Sequence, residues 1–227
     1  MAWSDTGDFT SGQILTAAAM DKVREAMFFG QATFTNEAAR DTAFANPGAL
    51  APITLQEGMR SYLTAPTVPA ASGGTTMVPT GATTVYNGTA WVCTTPVGAF
   101  TSNTGTLTGS TTFTPTLGGS PGTNPAVTLV TGTTALVSIS ALASNNAIGG
   151  GAILSVAVSG ASTIAASADN AAGYDNSTVS FFITIAHTFI FTGLTAGTNT
   201  FTLNYSLNNA ANTATFLRRR ITVQGIA

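Results

Sequence analysis

A long uncharged stretch dominates this sequence of 227 residues. Residues 61–168 contain no charged side chain, and no lysine or arginine lies between Arg60 and Arg218, although about a quarter of the residues in an ordinary globular domain are charged. Valine, isoleucine, leucine and phenylalanine alternate there with threonine, serine, asparagine and glycine. Disorder is not expected, because disordered segments combine low hydrophobicity with high charge. The stretch therefore predicts an ordered, β-rich protein that lives outside a cell, packed against copies of itself.

The overall charge and the scarcity of reactive side chains exclude several function classes. The formal net charge is −2, which argues against nucleic-acid binding, because such proteins need a basic surface to neutralise phosphates. Near-zero charge also removes the repulsion that keeps monomers apart. One cysteine, Cys93, and one histidine, His187, cannot form an intrachain disulfide or a zinc site. We therefore expect no metal and no cofactor.

The N-terminus gives no sign of export or membrane insertion. It lacks the basic region and the continuous apolar region of a signal peptide. No segment has the run of about 20 apolar residues that spans a bilayer. The sequence therefore predicts a protein made in a cytoplasm that leaves the cell by another route, such as release of a virus particle on lysis.

Residues 1–30 are predicted to form an attachment segment with one amphipathic helix. Thr16 is a good N-cap, and Gly30 ends the pattern as a C-terminal cap. The helix would pack on its own domain, form a bundle with identical chains, or dock onto a larger assembly, because so short a helix is marginal alone. Its apolar side chains and an aromatic anchor are the candidate interface residues: Trp3, Leu15, Met20, Val23 and Met27.

Residues 31–93 are predicted to hold a second short helix, over residues 36–44, and a small β-meander interrupted by a long loop at 64–82. Asn87-Gly88 between β-favouring residues predicts a hairpin with a type I′ turn. Tyr86 and Trp91 flank that turn. They are cross-strand partners that stabilise the hairpin or, alternatively, a platform that stacks on a sugar.

Residues 94–227 are predicted to form the main domain, an antiparallel jelly-roll sandwich. Seven or eight strands in about 130 residues without a helical period are typical of this architecture. Glycine-rich turn signals separate the strand-like runs, which are residues 111–114, 126–130, 135–142, 152–158, 179–191, 200–207 and 215–226. The whole chain is therefore predicted to be mainly β, with short N-terminal helices.

Few side chains in the main domain could carry chemistry. His187 lies inside an apolar strand without a nucleophile motif beside it, so catalysis is not expected. Strict alternation in the last strand puts Arg219 on a core-directed or interface-directed face and Phe216 on the opposite face. A buried arginine needs a partner, so Arg219 is predicted to pair with Asp169 or Asp175, in its own chain or a neighbour's. These two acids could alternatively bind Ca²⁺.

Several short phrases resemble known virion proteins. The first group is similar to small virion proteins of tailed bacteriophages and comprises residues 12–20 (GQILTAAAM), 39–41 (ARD), 57–59 (EGM) and 86–91 (YNGTAW). A second group resembles the trimeric jelly roll of tumour necrosis factor and complement globular heads at phage fibre tips, and comprises residues 132–139, 194–197 and 220–223. The resemblance implies a trimeric virion appendage with its N-terminus on the particle and its C-terminal knob outward.

The sequence thus predicts a non-enzymatic phage structural protein located in the virion. Its partners would be two identical chains, other virion proteins bound through the N-terminal segment, and a host cell-surface glycan. A short tail fibre or spike is the leading hypothesis, and a capsid decoration or head fibre protein is the alternative. A carbohydrate-binding module is the alternative of another class.

Overall fold

The structure, a computed structural model, describes residues 31–45, 55–175, 177–178 and 180–227, and most of them are in β-strands. The candidate attachment residues Trp3, Leu15, Met20, Val23 and Met27 lie outside these ranges, so the attachment hypothesis stays a prediction. In chain order the elements are β1 (Ala32–Phe34), α1 (Glu37–Ala45), β2 (Arg60–Leu63), β3 (Ala70–Ser72), β4 (Thr75–Met77), β5 (Ala82–Tyr86), β6 (Trp91–Cys93), β7 (Val97–Thr101), β8 (Gly105–Thr108), β9 (Gly118–Gly119), β10 (Ala126–Thr131), β11 (Thr134–Asn145), β12 (Gly151–Gly160), a 3₁₀-helix (Ala168–Asn170), β13 (Ala172–Asp175), β14 (Ile183–Thr192), β15 (Gly197–Leu207) and β16 (Thr213–Ile226).

Two antiparallel sheets pack face to face and form a sandwich. The back sheet has the strand order β13-β12-β15-β10-β3; the front sheet has the order β14-β11-β16-β7-β4, and β8 and β9 join it beside β16. Alternate residues of each strand point between the sheets. The buried apolar side chains include Val127, Leu129, Leu154, Phe201 and Leu203 from the back sheet and Val97, Val137, Phe216, Ile221 and Val223 from the front sheet. The predicted mainly-β fold with a jelly-roll-like sandwich is confirmed.

A β-bulge in β16 changes which side chains face the core. Ser140 pairs with Arg220 and Leu142 with Leu217, so two residues of β16 oppose one residue of β11. Arg218 has a positive φ of 51° at this point. The extra residue resets the alternation, so both Phe216 and Arg219 are buried. The prediction that Phe216 lies on the face opposite Arg219 was wrong, because it assumed unbroken alternation.

The N-terminal part of the described chain forms a small sheet with the order β1-β2-β5-β6. Helix α1 precedes β2, and the side chain of Asn36 caps it by accepting a hydrogen bond from the Ala39 amide at 2.9 Å. Within the described ranges, no helix is long and apolar enough to cross a bilayer.

The β5–β6 connection is a four-residue loop, residues 87–90, rather than the predicted two-residue turn. Asn87 Oδ1 accepts the amides of Thr89 and Ala90 and holds this wider loop closed.

The segment predicted as a long loop, residues 64–82, contains two short strands. Strand β3 pairs with β10 at the edge of the back sheet, and β4 pairs with β7 at the edge of the front sheet. Apart from Met77, both are built from small or polar residues and lie mostly exposed, so their hydrophobic pattern gives no strand signal. The sandwich therefore draws strands from residues before position 94.

The small sheet packs against one end of the sandwich, here called the near end. The Gln224 side-chain amide donates to the Thr94 carbonyl at 2.9 Å. Gly225 lies so close to β6 that a Cβ there would meet Val92 at 2.7 Å. Strand β16 ends at this contact, so its first residues lie at the opposite, far end. The loops at 146–150 and 208–212 lie there too, together with the described residues between β13 and β14, which are 177–178 and 180–182. The chain therefore has a polarity, with the N-terminal part at one end and three loops at the other.

Candidate functional site

The far-end loops are held together by asparagine side chains. Asn208 donates to Asp175 Oδ1 at 2.7 Å and accepts the Gly151 amide at 2.6 Å, which links all three loops. Asn146 Oδ1 accepts the Thr213 amide at 2.8 Å. Amide side chains bond both backbone donors and backbone acceptors, so these loops present a fixed surface without any ion pair among these residues.

Large apolar side chains are exposed on that surface. Ile148 is 72% exposed at the tip of the β11–β12 loop, and Phe181 is 63% exposed just before β14. Phe182 beside it is also exposed. Single exposed apolar residues are normal, whereas a group at one end of a molecule suggests a contact surface.

A basic hollow lies on the outer face of the front sheet, toward the far end. Its volume is about 300 Å³, and the side chains that define it are Phe100, Ser140, Leu142, Thr184, Arg218 and Arg220. The sheet register assembles these residues: Arg220 pairs with Ser140 on one side and with Phe100 on the other, and Leu142 pairs with Thr184. The hollow therefore spans β14, β11, β16 and β7 at the level of the bulge.

The hollow carries uncompensated positive charge. Both Arg218 and Arg220 are exposed, and the Arg220 guanidinium lies 5.3 Å from the centre of the Phe100 ring. Among the described residues, the structure shows no acid paired with either arginine. Two neighbouring guanidinium groups without a carboxylate attract anions.

Arg219, between these two arginines, points into the sandwich and is 1% exposed. Its Nη1 donates to the Tyr205 hydroxyl at 3.1 Å, and its Nη2 donates to the Pro121 carbonyl. Tyr205 in turn donates to Asn124 Oδ1 at 2.6 Å. Burial raises the pKa of Tyr205 to about 12, and the positive charge of Arg219 partly opposes that rise.

The acids predicted to pair with Arg219 lie elsewhere. Asp175 accepts from Asn208 at the far end, and Asp169 lies in the 3₁₀-helix beside the back sheet. Within the described part of this chain, Arg219 forms no ion pair with either acid. The Tyr205 hydroxyl and the Pro121 carbonyl take the place of a carboxylate, because both reach the buried guanidinium across the sandwich.

Tyr86 and Trp91, the candidate sugar platform, form a cross-strand pair in the small sheet. Trp91 is 8% exposed. Its ring packs against Phe44 at 5.4 Å and Tyr86 at 5.5 Å between ring centres, and the Arg40 guanidinium lies over it at 4.8 Å. These contacts leave no open face on Trp91 for a sugar, and the pair stabilises the hairpin.

The reactive side chains of the described residues are dispersed. His187 pairs in register with the buried Ile139, and its ring lies 5.1 Å from that of Phe189. Cys93 is buried, and burial raises the pKa of its thiol. Among the described residues, no three or more histidine, cysteine or acidic side chains come together as a metal site. The alternative that Asp169 and Asp175 share a Ca²⁺ ion gains no support from their positions.

Sequence reasoning did not find the basic hollow. One signal was present, because residues 218–220 are the only basic cluster in the sequence. The other contributors, Phe100, Ser140 and Thr184, come from three different strands far apart in the chain. Their convergence depends on strand register and on the bulge, which alternation does not reveal.

No family model and no curated protein matches the chain. Solved structures match part of this chain at low identity. The tumour necrosis factor Eiger from S. frugiperda shares 8% identity over 58% of this chain and 92% of that chain, with a TM-score of 0.41. The CBM22-1 xylan-binding domain of Paenibacillus barcinonensis Xyn10C shares 10% identity over 70% of this chain and 82% of that chain, with a TM-score of 0.27. The CBM22-1–GH10 modules of Clostridium thermocellum xylanase 10B, complexed with xylohexaose, share 16% identity over 56% of this chain and 27% of that chain, with a TM-score of 0.31. The neighbours of this chain thus include a tumour-necrosis-factor-like jelly roll and carbohydrate-binding modules.

Proposed function

We propose that this protein is a non-enzymatic structural protein of a tailed-phage virion, a short trimeric tail fibre or spike whose sandwich contacts the host surface. The sequence phrases that resemble phage virion proteins support the assignment to a phage virion. One structural observation supports the trimer: the outer face of the front sheet exposes apolar side chains at its near end, and none of the described strand residues there is charged.

This near-end group, here called the apolar patch, consists of Leu136, Ile190 and Ile226. Leu136 pairs in register with Ile190 on one side and with Gln224 on the other, and Ile226 follows Gln224 on the same face. Ile190 is 55% exposed and Ile226 is 40% exposed. Threonine and serine surround them, so a second copy could cover the face without burying an unpaired charge. The near-zero net charge of the chain adds little repulsion between copies.

The polarity of the molecule supports host contact at the far end. The chain enters the sandwich through the small sheet at the near end, so an attachment segment in residues 1–30 would precede that end in the chain. The far-end loops then lie away from the small sheet and carry exposed Ile148, Phe181 and Phe182. A fibre needs this arrangement, with attachment at one end and a fixed recognition surface at the other.

Light scattering of the full chain at micromolar concentration tests the trimer. We expect three times the monomer mass of 22.8 kDa. Ile190→Lys would place a charge in the apolar patch and should yield monomers, because an unpaired charge in an interface is strongly unfavourable. Ile148→Lys is the matched control, since Ile148 is exposed outside the patch. A monomeric wild-type chain, or an Ile190→Lys variant that stays trimeric, contradicts the proposed interface.

Labelling on intact particles tests the location. Gold-labelled antibody at the tail supports the fibre or spike, and label over the head supports the alternative of a capsid decoration or head fibre protein. Absence from purified particles contradicts a virion protein of either kind. A monomer that binds neutral polysaccharide would instead favour a carbohydrate-binding module.

A further inference from the structure

We propose that the basic hollow binds an anionic sugar, one whose ring carries a carboxylate or a phosphate group. The inference rests on the proposed host-contact function for the source of that sugar, a bacterial surface polysaccharide. The site itself is inferred from the charges, contacts and shape of the hollow.

The first observation is the pair of arginines. Arg218 and Arg220 lie two residues apart and line the same hollow. Among the described residues, no carboxylate pairs with either arginine. The remaining charged side chains of the described main domain lie outside the hollow. Guanidinium groups match carboxylate and phosphate oxygens through paired N–H donors. The charge pattern therefore specifies an anionic group on the ligand.

The second observation is the local geometry of the two arginines: a ring packs on the side chain of Arg220, and the backbone of Arg218 is unusual. The Phe100 ring lies under the Arg220 guanidinium, at 5.3 Å. Arg218 occupies the bulge with a φ of 51°, a conformation rare for residues other than glycine. Unusual backbone conformations at non-glycine residues cluster at binding sites. Both arginines line the same hollow, and packing on the Phe100 ring reduces the conformational entropy that Arg220 loses on binding.

The third observation separates a sugar from a free inorganic ion. Ser138 and Thr188 on the same face satisfy each other with a hydrogen bond of 2.8 Å. In contrast, the hydroxyl groups of Ser140 and Thr184 have no hydrogen-bond partner among the described residues. These hydroxyls can bond the hydroxyls of a sugar, and the side chain of Leu142 and the Phe100 ring offer apolar contact to its C–H groups. A volume of about 300 Å³ exceeds the needs of a phosphate ion and falls at the lower end of small-ligand pockets.

The position of the hollow fits the proposed trimer. Leu142 lines the hollow and Leu136 lies in the apolar patch, six residues apart on β11, which is roughly 20 Å along a strand. Subunits that meet at the apolar patch would leave the hollow uncovered, because it lies toward the other end of the sheet. Phe182 of the far-end surface precedes Thr184 of the hollow by two residues, so the two surfaces are neighbours.

Titration calorimetry of the full chain tests the proposal with four probes: galacturonate, galactose 6-phosphate, galactose and inorganic phosphate. We expect one or both anionic sugars to bind at least tenfold more tightly than galactose, which lacks the anionic group, and than phosphate, which lacks the ring. Equal binding of galactose overturns the requirement for an anion. Equal binding of inorganic phosphate overturns the proposal that the ligand is a sugar and indicates a simple anion site.

Three variants locate the binding. Arg218→Gly removes a guanidinium while glycine accepts the positive φ, and Arg220→Gln removes the other charge; each should weaken binding of the anionic sugar at least tenfold. Arg60→Gln is the control, because Arg60 is an exposed strand arginine of the small sheet. Unchanged affinity in both hollow variants overturns the assignment of the site.

Light scattering on the same samples separates this inference from the proposed function. A trimeric chain that binds none of the four probes overturns the anionic-sugar site and leaves the structural role intact. A monomeric chain that binds the anionic sugars through Arg218 and Arg220 supports the site and contradicts the trimer.

Discussion

Arg219 Nη1 donates a hydrogen bond to the Tyr205 hydroxyl at 3.1 Å, across the interior of the sandwich. Arg219 belongs to β16 of the front sheet and Tyr205 to β15 of the back sheet, so the bond joins the two layers. Tyr205 also donates to Asn124, whose side-chain amide donates to the Leu203 carbonyl at 2.8 Å. With the Pro121 carbonyl as a second acceptor, Arg219 fixes the segment around residues 121–124 against both sheets.

The first prediction concerns the free energy of unfolding of variants at this pair. Tyr205→Phe removes an acceptor from a buried charge and should destabilise the protein by about 2–3 kcal/mol. Arg219→Met removes the charge, which has no acid beside it in the described chain, and keeps much of the side-chain volume. It should change stability by no more than about 1 kcal/mol, because apolar replacement of a buried charge is often neutral.

Urea denaturation of both single variants and of the double variant measures their coupling. We expect the double variant to be more stable than Tyr205→Phe alone, since the charge that lost its acceptor is then absent. If Arg219→Met costs more than Tyr205→Phe, the guanidinium contributes net stability and the expected order is wrong.

The second prediction concerns stability at high pH. Because burial raises the pKa of Tyr205 to about 12 in the folded state, above its usual value near 10, the folded protein favours the neutral phenol. The stabilisation that this pKa difference contributes is fully present below pH 10 and is lost as the pH rises toward 12. Two pKa units correspond to roughly 2–3 kcal/mol. Thermal melting between pH 9 and 12 should show a smaller decline for Tyr205→Phe than for the wild type; parallel profiles contradict the assignment.

Strand-by-strand comparison shows what the sequence could predict. Residues 200–207 were predicted to form a strand, and its alternate apolar residues Phe201, Leu203, Tyr205 and Leu207 are all buried. Local alternation is sufficient there, because β15 is regular and lies inside its sheet. The same rule failed in β16, where one extra residue at the bulge moves Phe216 into the core.

The partners of the candidate residues depend on long-range geometry. Arg219 bonds Pro121, 98 residues away along the chain, and the hollow joins Phe100 to Arg220 across a strand pair. Neither pairing has a local signal. The short strands β3 and β4 were missed for a different reason: they contain mainly small or hydroxylated residues, and pairing with a preformed sheet edge makes them strands.

The third prediction concerns Glu37, which binds the segment after β2. Its carboxylate accepts the Thr67 amide at 3.1 Å, the Val68 amide at 2.9 Å and the Thr67 hydroxyl at 3.0 Å. Burial alone would raise the pKa of Glu37, but these hydrogen bonds outweigh it and lower the pKa below 4.5. Glu37→Ala should therefore speed hydrogen exchange of the Thr67 and Val68 amides at neutral pH, measured by NMR.

Acidification should have the same effect in the wild type. A carboxyl group whose pKa is lowered in the folded state contributes its stabilisation above the unfolded pKa and loses it as the pH falls through the folded pKa. Protection of the two amides should thus decline below about pH 4.5, the ordinary value. Glu57→Ala is the control, since Glu57 is exposed. Unchanged exchange in Glu37→Ala would show that the segment is held by other contacts.

The last prediction concerns the backbone at the bulge. Arg218 has a φ of 51°, where a side chain costs about 1–2 kcal/mol and a β-branched side chain is especially unfavourable. Arg218→Gly removes this strain, although glycine also makes the unfolded chain more flexible. It should stay within about 1 kcal/mol of the wild type in urea denaturation, whereas Arg218→Val should lose about 1–2 kcal/mol. Arg220→Val is the control, because Arg220 has no positive φ and valine suits a strand. If Arg218→Val is as stable as Arg218→Gly, the positive φ is not a fixed feature of the folded chain, and the register shift that buries both Phe216 and Arg219 must have another cause.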